Sequence, residues 1–167
     1  MSRAFVKESD SENSGELPER PLSPHPNLVT RAGLAALARA LAEFQRRRRK
    51  LAGEPDELMH KETMRLIDRD IRYFRARIQT AQAIDEAAQP KDEVAFGALV
   101  KVVDENAEMR QFHIVGEDEA DPGAGKISWV SPLARALTGA KAGESVTWRR
   151  PAGDLELEVV AIWYPGA

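Results

Sequence analysis

Three groups of side chains in this sequence have the type and spacing to do chemistry. The turn Gly53-Glu54-Pro55-Asp56-Glu57 gathers three carboxylates. Carboxylate oxygens are hard donors that suit Mg²⁺, which makes Glu54, Asp56 and Glu57 candidate helpers in a metal-assisted hydrolysis. The same acids also fit the start of a helix, where negative charge meets the positive end of the dipole. Just before them runs Arg46-Arg47-Arg48-Arg49-Lys50, a cationic stretch suited to phosphates or to an acidic protein wall. A solvated helical face is the plainer reading, although consecutive cations repel one another. Glu117, Asp118, Glu119 and Asp121 form an acidic loop that fits either a basic partner surface or an ordinary charged turn.

Other reactive types are present without a constellation. Ser131 precedes Pro132 but lacks the Gly-x-Ser-x-Gly elbow of a nucleophile, and capping a helix is its simpler role. His25, His60 and His113 are scattered and lack metal-ligand spacing. No metal site of the chain's own is expected, and no phosphate-binding glycine loop appears.

The elements that must position these groups follow from periodicity. Thr30 is a plausible N-cap, followed at three- and four-residue spacings by Leu34, Leu37, Leu41 and Phe44, with Arg48 and Leu51 in the same phase. Gly53 to Pro55 breaks this helix and Asp56 can cap a second one. Met64, Ile67, Ile71, Phe74, Ile78 and Ala81 form the second stripe. Two such stripes around a tight turn predict an antiparallel helical hairpin over residues 28–85, each arm roughly 30–40 Å long. Arg48 sits on the seam, which predicts fraying there or an acidic partner such as Glu62. Residues 86–167 read as a small antiparallel β-sheet with one short helix at Pro132–Leu137, an α+β unit. Its last strand alternates Leu155, Leu157, Val159, Ala161 and Trp163 with Glu156 and Glu158, and the tryptophans Trp129, Trp148 and Trp163 read as core or half-buried sheet residues. Residues 1–27, rich in acid and proline, read as a disordered tail.

Composition narrows the class. The chain has 167 residues and no cysteine, which excludes disulfides and thiolate metal sites. No apolar run approaches the ~20 residues of a membrane helix, and no secretory signal opens the chain. The expectation is a cytoplasmic protein with no membrane partner, monomeric when free. The net charge of -3 divides unevenly: -2 over residues 1–27, +5 over 28–85 and -6 over 86–167. A basic hairpin joined to an acidic domain implies different surroundings for each.

Several of these stretches together resemble a known family. Phe96-Gly97-Ala98-Leu99-Val100, then Phe112 to Glu119, then Ile127-Ser128-Trp129-Val130-Ser131-Pro132-Leu133-Ala134-Arg135-Ala136-Leu137 are similar, in order, to the C-terminal domain of the GreA/GreB transcript-cleavage factors. Leu28 to Gly33 resembles the family's opening, and Ile67 to Tyr73 looks like the GreB form of its second helix. The resemblance implies an N-terminal coiled coil joined to an FKBP-like domain. It implies RNA polymerase core as partner, with the C-terminal domain on the rim of the secondary channel and the hairpin inside it. There, acids at the tip would assist the polymerase's own Mg²⁺ in cutting backtracked RNA at its 3′ end; no cofactor of the chain's own is implied. The loop around Ser131, Pro132 and Arg135 would lie near the polymerase contact, with Glu117–Asp121 beside it, and Arg46–Lys50 could touch RNA.

The chain also departs from that pattern. The family's Gly-Asp-x-x-Glu-Asn-Ala-type tip is missing, and Arg49, Lys50 and Gly53 stand where its Gly, Asp and Glu belong. The first helix is shorter by roughly two heptads, about 20 Å of reach. That resembles the short-hairpin, Rnk-type relatives, which bind polymerase without stimulating cleavage. The expected function is therefore a polymerase-binding elongation regulator, not itself an enzyme, with true cleavage stimulation as the alternative. Prolyl isomerase activity rests on fold analogy alone, and free nucleic-acid binding sits poorly with the acidic C-terminal half.

Overall fold

A computed structural model describes residues 17–55 and 57–166, except the side chains of residues 57–59. Residues 1–16 of the expected tail, the expected cap Asp56 and the last residue lie outside the described residues.

In chain order the elements are β1 (Leu28–Val29), α1 (Arg31–Ala52), α2 (Glu57–Thr80), β2 (Gln82–Ala83), β3 (Leu99–Asp104), β4 (Met109–Val115), β5 (Lys126–Ser128), α3 (Pro132–Leu137), β6 (Ser145–Trp148) and β7 (Leu155–Trp163). The expected hairpin is α1 against α2. Its 22- and 24-residue arms are about 33 and 36 Å long. Thr30 caps α1, its hydroxyl accepting from the Gly33 N–H at 2.9 Å. Leu37, Ile67 and Ile71 are buried in the seam, and Phe44 stacks on Phe74 with centroids 5.5 Å apart. At the base, β1 and β2 pair in parallel, Leu28 with Gln82 and Val29 with Ala83. That pairing is invisible to strand propensity, because each piece is only two residues long.

Of the two expectations for Arg48, fraying or an acidic partner, the hairpin's register gives the second, with Asp68 in place of Glu62. Arg48 does not fray; its Nε donates to Asp68 Oδ1 at 2.5 Å. In an antiparallel pair the sequence numbers of facing residues have a nearly constant sum. The Phe44–Phe74 contact therefore sets the stretch of α2 around residue 70 opposite Arg48, which brings Asp68 within reach and leaves Glu62 about two turns away.

A correction concerns the tail. Residues 17–27 are ordered along α2. Arg20 pairs with Asp70 at 3.1 Å and lies 3.7 Å over the Tyr73 ring, while Glu19 pairs with Arg72 at 2.5 Å. Asn27 is buried and donates to the Arg77 carbonyl at 2.7 Å. Composition weighs only the arm's own apolar content. The helix offers it an aromatic and charged face already in place, and that offsets part of the ordering entropy.

The C-terminal unit is a five-stranded sheet of order β5-β4-β3-β7-β6 with α3 packed on it. It is antiparallel except at one edge, where β5 runs parallel to β4, Ile114 facing Ile127. The reason is the loop between them. Two single-turn 3-10 helices, Glu117–Glu119 and Pro122–Ala124, carry the chain back before it re-enters at Lys126. Gly125 closes that loop at φ 71, where a Cβ would come within 2.8 Å of the Gln111 carbonyl. The core gathers Val100, Val102, Ile114, Leu133, Leu137 and Leu157.

The last strand does not keep one phase. Lys101 faces Ala161 but Val102 faces Val159, so Val160 is an extra residue and the side chains beyond it change faces. Ile162 and Tyr164 turn to the core, and Trp163 is left 38% exposed rather than in the core. A bulge cannot be read from alternation when the strand is apolar on both sides of it. Tyr164 then fixes the entry to the domain, accepting from the Ala95 N–H at 3.0 Å and donating to the Glu93 carbonyl at 2.8 Å.

Candidate functional site

At the hairpin tip, Glu54 is the candidate carboxylate whose side chain is among the described residues. Glu54 Oε2 lies 3.4 Å from His60 Nε2. Asp56 and the side chain of Glu57 lie outside the described residues. Among the described residues, no group of three or more His, Asp or Glu converges as a metal site would require. A cleft of about 560 Å³ beside the tip is lined by Leu51, His60, Lys61 and Met64.

The basic run is divided by the helix. Arg46 pairs with Glu43 at 2.5 Å, Arg47 lies 5.5 Å from the Phe44 ring centre, and Arg48 is held by Asp68. The hydrogen bond from Arg48 to the Asp68 carboxylate raises the guanidinium pKa further. Arg49 and Lys50 are exposed. Arg48 and Arg49 share an open groove of about 570 Å³ with Arg72 and Arg75 from α2. The sequence reading missed these last two. Their signal was the recurrence of arginine at 65, 69, 72 and 75 on the polar side of the second stripe. The groove gathers four arginines around one lining carboxylate, Asp68, with Glu19 paired to Arg72, and its net charge is positive, which suits anions.

The acidic loop is used inside the molecule. Asp118 takes the Arg77 Nε at 2.5 Å on one oxygen and the Tyr73 hydroxyl at 2.6 Å on the other. Arg77 is 4% exposed and its second nitrogen is 3.9 Å from Glu117. Glu119 accepts from the Thr30 hydroxyl, from the Thr30 N–H at 3.1 Å and from the Gly116 N–H at 3.2 Å. Gly33 makes room for it, since a Cβ there would lie 2.0 Å from the Glu119 carboxyl carbon. Burial, and secondly the hydrogen bond to Asp118, push the Tyr73 phenol up to about 12. Glu117, Asp118 and Glu119 therefore face the base of the hairpin and form a clasp, so the loop is more than an ordinary charged turn. A buried arginine recruits the nearest carboxylates, because an unpaired charge there is costly. Asp70, Tyr73 and Arg77 share one face of α2, and that spacing was the legible sign of this second contact.

The remaining expected residues lie elsewhere. Asp121 caps the Pro122–Ala124 turn, accepting from the Ala124 N–H at 3.3 Å. Ser131 caps α3, accepting from the Ala134 N–H at 3.2 Å. Leu133, Ala134 and Leu137 point into the core, which leaves Pro132 and Arg135 exposed on the outer face of α3. His25 is exposed and its ring meets Trp129 edge-on at 6.1 Å. His113 is half-buried, and burial chiefly lowers its pKa, while Glu86 and Glu119 act in the opposite direction. No helix among the described residues is long and apolar enough to cross a membrane.

Comparison with known proteins places this arrangement. Residues 89–164 match the family model for the C-terminal region of the transcription elongation factors GreA/GreB. A transcription elongation factor GreB of Neisseria meningitidis is 40% identical over 110 residues, covering 65% of this chain and 68% of the relative. GreB of Yersinia pestis is 34% identical over 152 residues, covering 83% and 89%. Among solved structures, the GreA/GreB factor from Nitrosomonas europaea aligns at 19% identity with a TM-score of 0.41, over 82% of this chain and 98% of that one. Gfh1 of Thermus aquaticus aligns at 24% identity with a TM-score of 0.40, over 81% and 96%.

Proposed function

The chain belongs to the GreA/GreB family of transcription elongation factors, and from that premise we propose that it binds core RNA polymerase at the secondary channel and regulates elongation. The C-terminal domain is the anchor, with Ser131, Pro132 and Arg135 on its docking face. The hairpin is the part that enters. Supporting this division, α3 keeps Leu133, Ala134 and Leu137 in the core and leaves Pro132 and Arg135 uncovered, a rigid face open to a partner.

The hairpin tip favours regulation over cleavage. Cations at Arg46, Arg47, Arg49 and Lys50 precede the turn, and the described carboxylate, Glu54, lies 3.4 Å from His60. Such a tip is suited to holding RNA or the channel wall by charge. Cleavage needs oxygen ligands presented to the polymerase's Mg²⁺, and Arg49, Lys50 and Gly53 stand where the family's acidic tip motif belongs. Glu54, Asp56 and Glu57 are the residues that a cleavage factor would use instead.

The test has two stages. The full chain is mixed with core polymerase, and binding is measured with wild type and with Arg135→Glu. Retention of wild type and its weakening by the charge reversal are expected; a chain that core polymerase does not retain overturns the reading. Stalled elongation complexes then receive the chain with Mg²⁺. Unchanged RNA length is expected. Shortening that vanishes in Glu54→Ala/Asp56→Ala/Glu57→Ala would make the protein a cleavage factor.

A further inference from the structure

Residues 17–26 cross from one part of the molecule to the other. At one end Glu19 and Arg20 hold α2 through Arg72, Asp70 and the Tyr73 ring. At the other end His25 rests edge-on against Trp129, between β5 and α3 of the C-terminal domain. Between these points the arm borders a cleft of about 510 Å³, shared with Tyr73, Arg77, Asp118 and Val130. It therefore runs over the clasp that joins hairpin and domain. We propose that this arm is a releasable strap that sets the angle of the hairpin against the C-terminal domain.

The hairpin is attached in two ways that differ in burial. The Arg77–Asp118 pair lies beneath the surface, with side chains 4% and 14% exposed, so salt screens it little. The pairs of the arm are more open: Arg72 and Glu19 are 55% and 60% exposed, and Arg20 is 35% exposed, although its partner Asp70 is 18% exposed. Exposed pairs are weak and salt-sensitive. A rod pinned only at its base can pivot there, whereas a second attachment further along α2 resists rotation. Releasing the arm removes that second point and leaves the clasp as a hinge. The clasp side chains do not have to separate for this to happen. Ionic strength, or a charged surface competing for Asp70 and Arg72, would act as the trigger. The proposal stands apart from any role on polymerase, since it concerns the free chain.

The chain has no cysteine, so a spin-label pair can be placed without removing any native residue. Labels at Ala52→Cys and Ala152→Cys, both exposed and on opposite parts, report the angle as a distance distribution in the full chain. A narrow distribution is expected at low salt. Arg20→Ala with Glu19→Gln should raise the population of displaced hairpins roughly tenfold, as befits the loss of ion pairs and a cation–π contact. About 1 M NaCl, where screening falls to ~3 Å, should do the same to wild type and add little to the variant. Circular dichroism checks that both keep the same helix content. A double variant with the wild-type distribution overturns the proposal. So does salt broadening of equal size in wild type and variant, because the salt would then act somewhere other than the arm.

Discussion

Replacing Asp118 with alanine isolates the contact between the two parts of the molecule. It leaves the Arg77 guanidinium 4% exposed without its main partner and strips the Tyr73 hydroxyl of its acceptor. Breaking a buried pair from one side costs about 3–5 kcal/mol. Glu117 already stands 3.9 Å from Arg77 and can take over part of the charge, which argues for the lower end, about 3 kcal/mol. The assay is urea unfolding with two signals. Helical circular dichroism is dominated by the hairpin. Tryptophan fluorescence belongs to the sheet domain, because Trp129, Trp148 and Trp163 all lie there. In wild type the two transitions should coincide. In Asp118→Ala the helical transition should move to lower urea and separate from the fluorescence transition. Adding Arg77→Met should recover about 2 kcal/mol, since the stranded charge is then gone. A change below about 0.5 kcal/mol in Asp118→Ala, with the two transitions still superimposed, would refute the idea that this pair holds the hairpin in place.

Tyr73 carries a high-pH signature. Its folded pKa of about 12 lies above the ordinary 10, so its contribution is complete below pH 10 and is lost as pH rises towards 12. The loss of stability between those values, followed by unfolding, should be shallower in Tyr73→Phe. His113 acts at the other end. Its folded pKa is depressed from 6.5, so its contribution is present above pH 6.5 and is lost as pH falls through the lower value. Acid unfolding of His113→Gln should begin at a lower pH than that of wild type, read by tryptophan fluorescence. Thr30→Val removes both the α1 cap and a donor to Glu119, and thermal unfolding should show a loss of about 1–2 kcal/mol. Arg49→Glu with Lys50→Glu reverses an exposed cation lining the groove and its exposed neighbour in sequence. Polymerase affinity should fall at low salt and its dependence on salt should flatten, in a titration repeated at several ionic strengths.

The sequence by itself determined the two helices of the hairpin, then the strands of the C-terminal sheet with the short helix α3 among them. Leucines and phenylalanines at helical spacing required two amphipathic arms, Gly53 and Pro55 required a turn, and Ser131 before Pro132 marked the start of α3. These are short-range rules, in which a residue's neighbours along the chain decide its conformation. The family likeness was legible for a related reason, since its motifs sit on those same local pieces. Tertiary structure decided which charges meet. The partners of Glu117, Asp118 and Glu119 were not legible in the loop itself, because Arg77, Tyr73 and Thr30 lie about forty to ninety residues away in sequence, at the hairpin base. The ordered arm, the parallel edge at β5 and the bulge at Val160 belong to the same class. Each depends on distant groups brought together by folding. An ion pair or a strand register has no signature in either partner alone, because its energy belongs to the separation between them.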